Sequence, residues 1–214
     1  MPKRDQLLAE LAADHYGVLL LAQMGGVPNE IQLMIETAAY DTNAEGLRPL
    51  HTYIIRALGV REQRLSLGLF ASLRFASDHP LLYHHNAPRT AVHFDGKAAD
   101  LNALVLDLSQ AYVSTFGPWR HLVEMETDFN RSRPLIDLLA GGFGLLGEMP
   151  APLAERVAKV LAHHGVRASL SVDATFTPVD EHGRSRLAQA LVIDQSYVIA
   201  LDFSVEQMTG RQPR

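Results

Sequence analysis

Ala168-Ser169-Leu170-Ser171-Val172-Asp173-Ala174-Thr175-Phe176-Thr177 decides how this chain is read, because apolar and polar residues alternate along it without a break. A period of two is what a strand with one buried and one wet face requires. The dry set is Ala168, Leu170, Val172, Ala174 and Phe176. The turn-rich Asp180-Glu181-His182-Gly183-Arg184-Ser185 then leads to Leu187–Ile193, and Asp194-Gln195-Ser196 leads to Tyr197–Phe203. Read as hairpin connections, these predict a three-stranded antiparallel meander from Arg167 to Phe203. The middle run is apolar at nearly every position, which predicts a central strand, and Tyr197–Phe203 is predicted at an edge. An apolar edge exposes a row of backbone groups that invites another chain, so a homodimer is expected.

Working outward, Leu7, Leu8 and Leu11 predict a helix from Asp5 that stops near Tyr16-Gly17, and Val18–Ala22 predicts a buried strand. Pro28 is read as opening a helix with Ile31, Met34, Ile35 and Ala38 on one side, and Pro49–Leu58 as another helix closed by Gly59. Arg64–Leu69 alternates as a strand does, while Leu65, Leu69 and Leu73 also fit a helix; the strand is preferred. Thr90–Asp95 predicts a strand, and Leu101, Leu104, Val105, Leu108 and Tyr112 predict a helix ending at Gly117. Pro118–Phe129 fits a strand or a helix equally, with Trp119 assigned to the core. Ser132 is placed as the cap of a short helix carrying Pro134 and Leu138, which dissolves at Gly141-Gly142. A further helix from Pro152 turns Leu153, Val157, Val160 and Leu161 inward and ends at His164-Gly165. His163-His164 suits the negative end of its dipole.

The fold class predicted is therefore α+β: one domain over 1–206, a largely antiparallel sheet built on the C-terminal meander with helices packed on its faces, and a polar tail over 207–214. A rival sheet also takes in the strands near residues 18, 65 and 92.

Composition narrows function. The 214 residues carry a net charge of −5 and no Lys/Arg cluster occurs along the sequence, with Lys3, Lys97 and Lys159 as the only lysines, which argues against bulk nucleic-acid binding. With no cysteine, disulfides, thiolate metal sites and cysteine nucleophiles are excluded. The N-terminus shows no signal-peptide pattern and the longest apolar run is too short for a bilayer, so a cytoplasmic location is expected.

Three constellations could carry chemistry. His79, His84, His85, His93 and Asp95 crowd into residues 78–95, and His93 and Asp95 share one side of a strand. Imidazoles and a carboxylate are what zinc and similar ions take, so His84, His85, His93 and Asp95 are candidate metal ligands, with Asp78 or Glu124 as the base of a hydrolase. The plain alternative is a wet loop beside a solvent-facing strand. His121 and Glu124 stand three apart, as metal-binding pairs do on helices, or as an ion-paired face does. Gly142-Phe143-Gly144-Leu145-Leu146-Gly147 matches GxGxxG literally, but the dinucleotide fingerprint also needs a preceding strand and an immediate helix. A close-packed connection between two helices accounts for these glycines more simply. With no G-x-S-x-G and no H-E-x-x-H, the function expected is non-enzymatic binding of a small ligand or a protein; the alternatives are a metal-dependent hydrolase and a nucleotide-binding loop.

Overall fold

The computed structural model describes residues 6, 9–11, 16–43, 45–180 and 182–208. Its elements run β1 (Tyr16–Met24), β2 (Glu30–Asp41), β3 (Gly46–Arg64), β4 (Gly68–Phe70), β5 (Leu73–Ala76), α1 (Tyr83–Asn86), β6 (Arg89–Asp95) and α2 (Leu101–Phe116). There follow α3 (Leu135–Ala140), β7 (Phe143–Pro150), α4 (Ala151–His163), β8 (Arg167–Val172), β9 (Gln189–Ile193) and β10 (Ser196–Met208). The fold is α+β. Where the sequence reads as one domain, the chain divides into two compact units, Met1–His79 with Val179–Arg214, and Pro80–Pro178.

The first unit is a seven-stranded antiparallel sheet in the order β4-β1-β2-β3-β10-β9-β5. Its two edge strands, β4 and β5, are joined only by Ala71 and Ser72, which forces the sheet to curl until its ends approach. Asp194, in the β9–β10 turn, ties this join: Oδ2 accepts from the Ala71 amide and Oδ1 from Ser72 Oγ, both at 2.9 Å. Inside the curl lie Leu19, Ile31, Leu33, Ile35, Tyr53, Ile55, Phe70, Val198 and Phe203.

Several expectations are corrected here. The predicted helix after Pro28 is β2: Ile31, Met34 and Ile35 suit a helix, but Ile31, Leu33 and Ile35 alternate and are the buried set. Pro49–Leu58 is likewise part of β3, where Tyr53, Ile55 and Ala57 face the core. Pro49 is tolerated because it lies opposite Ala38, beside a bulge in β2. From Arg64–Leu69 only Gly68 and Leu69 enter a new strand. β9 and β10 form the expected hairpin, yet β10 lies between β3 and β9, so it is not an edge. Leu11 is helical and buried; Leu7, Leu8 and the tail beyond Met208 lie outside the described residues, while Gln207 and Met208 still belong to β10.

The second unit has a three-stranded antiparallel sheet, β7-β6-β8, covered on one face by helices. Val92 and Phe94 of β6 pack against Leu104, Leu108, Tyr112 and Phe116 of α2 and Leu153, Val157 and Leu161 of α4. Asp100 caps α2 by accepting from the amides of Asn102 and Ala103, and Gly117, at φ 59°, ends it. α3 begins after Pro134 rather than at a Ser132 cap.

β8 pairs with β6, so the three C-terminal strands do not form one meander. The residues from Asp173 to Ala188 make too long a connection for a hairpin. Of the predicted dry face only Ala168 packs against the core; Leu170 and Val172 are 40% and 53% exposed, and Ala174 and Phe176 lie beyond the strand. No helix among the described residues is long and apolar enough to cross a membrane.

Candidate functional site

The polar centre of the second unit forms around Asp128, a residue the sequence does not single out. The one-turn helix α1 delivers His84, the start of β6 delivers Arg89, and a 3-10 segment, Leu122–Thr127, delivers Asp128. His84 Nε2 lies 3.0 and 2.9 Å from the two Asp128 oxygens, and Arg89 Nη1 lies 3.3 Å from Oδ1. The Asp128 side chain is fully shielded from solvent. The His84 ring stacks on Phe116 with centroids 5.1 Å apart.

Two buried polar atoms at this centre, His84 Nδ1 and Tyr112 Oη, have no hydrogen-bond partner. Burial first, and then the carboxylates of Asp128 and Glu124, push the Tyr112 phenol far above its ordinary pKa. Gly147 sets Asp128 in place from the other side. A Cβ on it would stand 2.1 Å from the Asp128 carbonyl oxygen and 2.8 Å from Phe129 Cα, and Phe129 forms a β-bridge to it.

The four predicted metal ligands are not gathered. His84 is engaged by Asp128, and His85 follows it on α1, partly buried. His93 and Asp95 lie on the exposed face of β6, where Asp95 pairs with Arg167. Among the described residues no group of three or more His, Asp or Glu side chains is placed to hold a metal ion. Asp78 is exposed beside His79 in the first unit, where burial and then the Arg74 charge lower the His79 pKa.

His121 and Glu124 cap the 3-10 segment: the His121 amide donates to Glu124 Oε1 at 2.9 Å. Burial, the largest single influence, raises the Glu124 pKa, but the 2.8 Å hydrogen bond from Arg120, the His121 amide and the Arg120 charge together outweigh it and lower the pKa. Trp119 is partly buried.

The GxGxxG run is also corrected. It follows a helix, α3, and continues as strand β7, the reverse of the strand-then-helix order that phosphate binding requires, and it does not connect two helices. Gly142, at φ 82°, makes the turn out of α3, and its carbonyl accepts from the Gly96 amide at 2.8 Å.

No protein-family model matches the sequence, and no curated protein or solved structure is significantly similar to it.

In the first unit the open feature is the edge of β1. β4 pairs with β1 only at Gly17–Leu19. Beyond that, no strand among the described residues covers the outward side of Leu20–Met24, where Leu20, Leu21 and Met24 are 45%, 38% and 68% exposed. Leu67 and Leu69 extend the apolar surface. A hollow of about 390 Å³ in the same unit is lined by Val27, Leu58, Leu201, Arg184 and Arg186, but its arginines are already answered, by Asp180 and Asp202.

Proposed function

We propose that this protein acts by association rather than by catalysis, and that two copies join along the open edge of β1. The observation that carries the reading is Leu20-Leu21-Ala22-Gln23-Met24 itself, a segment with no charged residue and no proline whose outward edge no strand among the described residues covers. Those are the devices by which monomeric sheets block edge pairing. A second copy laid antiparallel about a two-fold axis satisfies the outward backbone groups and buries the exposed leucines and Met24, with no like charges brought together at the seam.

The catalytic alternative has less behind it. His84 has Nε2 occupied by Asp128 and Nδ1 buried, so neither nitrogen faces an incoming substrate.

Size-exclusion chromatography with light scattering tests the proposal. The parent chain is expected as a dimer at tens of micromolar, and a Leu20→Lys, Met24→Lys double variant as a monomer with an unchanged circular-dichroism spectrum. A monomeric parent at that concentration would remove the reading.

A further inference from the structure

α4 and α2 enclose a groove of about 450 Å³, remote in sequence from the β1 edge and independent of it. Along its α4 wall stand Arg156, Lys159 and His163, spaced i, i+3, i+7 and so one above another on a single helix face. The α2 wall supplies Asp107, Gln110 and Ser114, and Ala111 and Val160 form an apolar floor.

The charges in this groove are unbalanced. Asp107, the one acid in the lining, is taken by His164 Nε2 at 2.7 Å. Arg156 meets only Ser114 Oγ, at 3.3 Å, and no carboxylate among the described residues lies within ion-pair distance of Arg156, Lys159 or His163. Within a chain of net charge −5, Arg156 and Lys159 are thus two cations with no carboxylate partner among the described residues, and the His163 imidazole stands beside them.

The shape of the row selects the ligand class. Seven helical residues span about 10 Å, so an elongated ligand meets Arg156, Lys159 and the His163 imidazole in turn, which a compact anion does not. Leu106 and Val113 of α2, 59% and 46% exposed, stand at i−4 and i+3 from Gln110 and form an exposed apolar flank of α2 beside the groove lining.

We infer that this groove receives an acidic amphipathic segment of a partner protein, its carboxylates along Arg156, Lys159 and His163 and its apolar side against Leu106, Val113 and the floor. Helix-in-groove recognition has this division of labour, and charge complementarity sets its specificity.

Fluorescence anisotropy with a labelled peptide of about 16 residues, glutamate and leucine placed on opposite faces of a helix of about 24 Å, is the test. The parent is expected to bind it in a salt-sensitive way. Arg156→Glu with Lys159→Glu is expected to weaken binding at least about tenfold, and Leu106→Ser with Val113→Ser severalfold. Both double variants are checked for the parent's thermal midpoint, with Arg156→Gln, Lys159→Gln as the milder substitute should charge reversal disturb folding. Absence of peptide binding, or unchanged affinity after loss of the cations, would overturn the inference. Citrate displacing the peptide at equal concentration would also overturn it, by showing a compact-anion site, as would tighter binding of oligothymidylate.

Discussion

His84 Nε2 lies 2.9 Å from Asp128 Oδ2, and the carboxylate it meets is wholly shielded from solvent. The pair joins segments 44 positions apart, and Arg89 completes it, so Asp128 is the electrostatic pin of its unit. Asp128→Ala strands His84 and Arg89 without their acceptor. Removing one partner of a buried pair costs about 3–5 kcal/mol, and the partial exposure of Arg89 argues for the lower end, about 3. Trp119 is the only tryptophan and lies in this unit, so urea unfolding followed by its emission reports the unit selectively. A loss below about 1 kcal/mol, the value of an exposed pair, would reduce Asp128 to an ordinary surface contact.

Tyr112→Phe should behave in the opposite way. The phenol is buried without a partner, so its removal relieves a desolvated hydroxyl and is expected to be neutral or to stabilise by up to about 1 kcal/mol. The raised pKa fixes the pH dependence. The native state holds the Tyr112 proton more tightly than the unfolded chain does, so this contribution is complete below the unfolded value of about 10 and is lost as pH rises above it. Spectrophotometric titration should show a late, unfolding-linked step, and in Tyr112→Phe its amplitude should fall by one tyrosine, the buried Tyr53 and Tyr197 being common to both proteins. An unchanged late amplitude in the variant would refute the assignment.

Gly147→Ala tests the reassigned glycine run. The new Cβ would meet backbone atoms of Asp128 and Phe129 that no rotamer change can move, and a cost of about 2–4 kcal/mol is expected, typical of overpacking with strain. Gly26→Ala is the control: nothing lies within 4 Å of its Cβ and its φ is not positive, so a small or even stabilising effect is expected. Equal effects on unfolding midpoints would show that Gly147 is not the close-approach residue.

What the sequence made legible was the local pattern. β1, β6, α2, α4 and the β9–β10 hairpin follow from period and punctuation, since Val92 and Phe94 or Leu104 and Leu108 fit one template only. The sequence misleads at β2 because Ile31 to Ala38 satisfies both periods, and pairing of β2 with β3 and β1 decides between them. Sheet membership escaped as well: the alternation in Ala168–Val172 marks a strand but not its partner, which proved to be β6. At the polar centre His84 was visible as one of a cluster, whereas Asp128 was hidden in a run of acidic residues. No local spacing reveals a pair made across the fold.

Asp180 supplies the last prediction. Its Oδ1 accepts from the amides of Arg184 and His182, each at 2.9 Å, and its Oδ2 from Arg184 Nε at 2.7 Å. The Arg184 amide does most to hold the carboxyl at about 2; burial opposes it, and the Arg184 guanidinium and the His182 amide assist. Because the folded pKa is depressed, this contribution to stability is present above the unfolded value of about 4 and is lost as pH falls from there towards 2. Carboxyl carbon chemical shifts should show Asp180 still ionised at about pH 3, when unperturbed aspartates are largely protonated. Arg184→Gln should raise the midpoint while leaving it below 4, since the amides remain. Protonation also frees Arg184 from its counter-charge at the hollow bounded by Val27, Leu58 and Leu201. A midpoint near 4 in the parent would show that the turn does not hold the carboxylate.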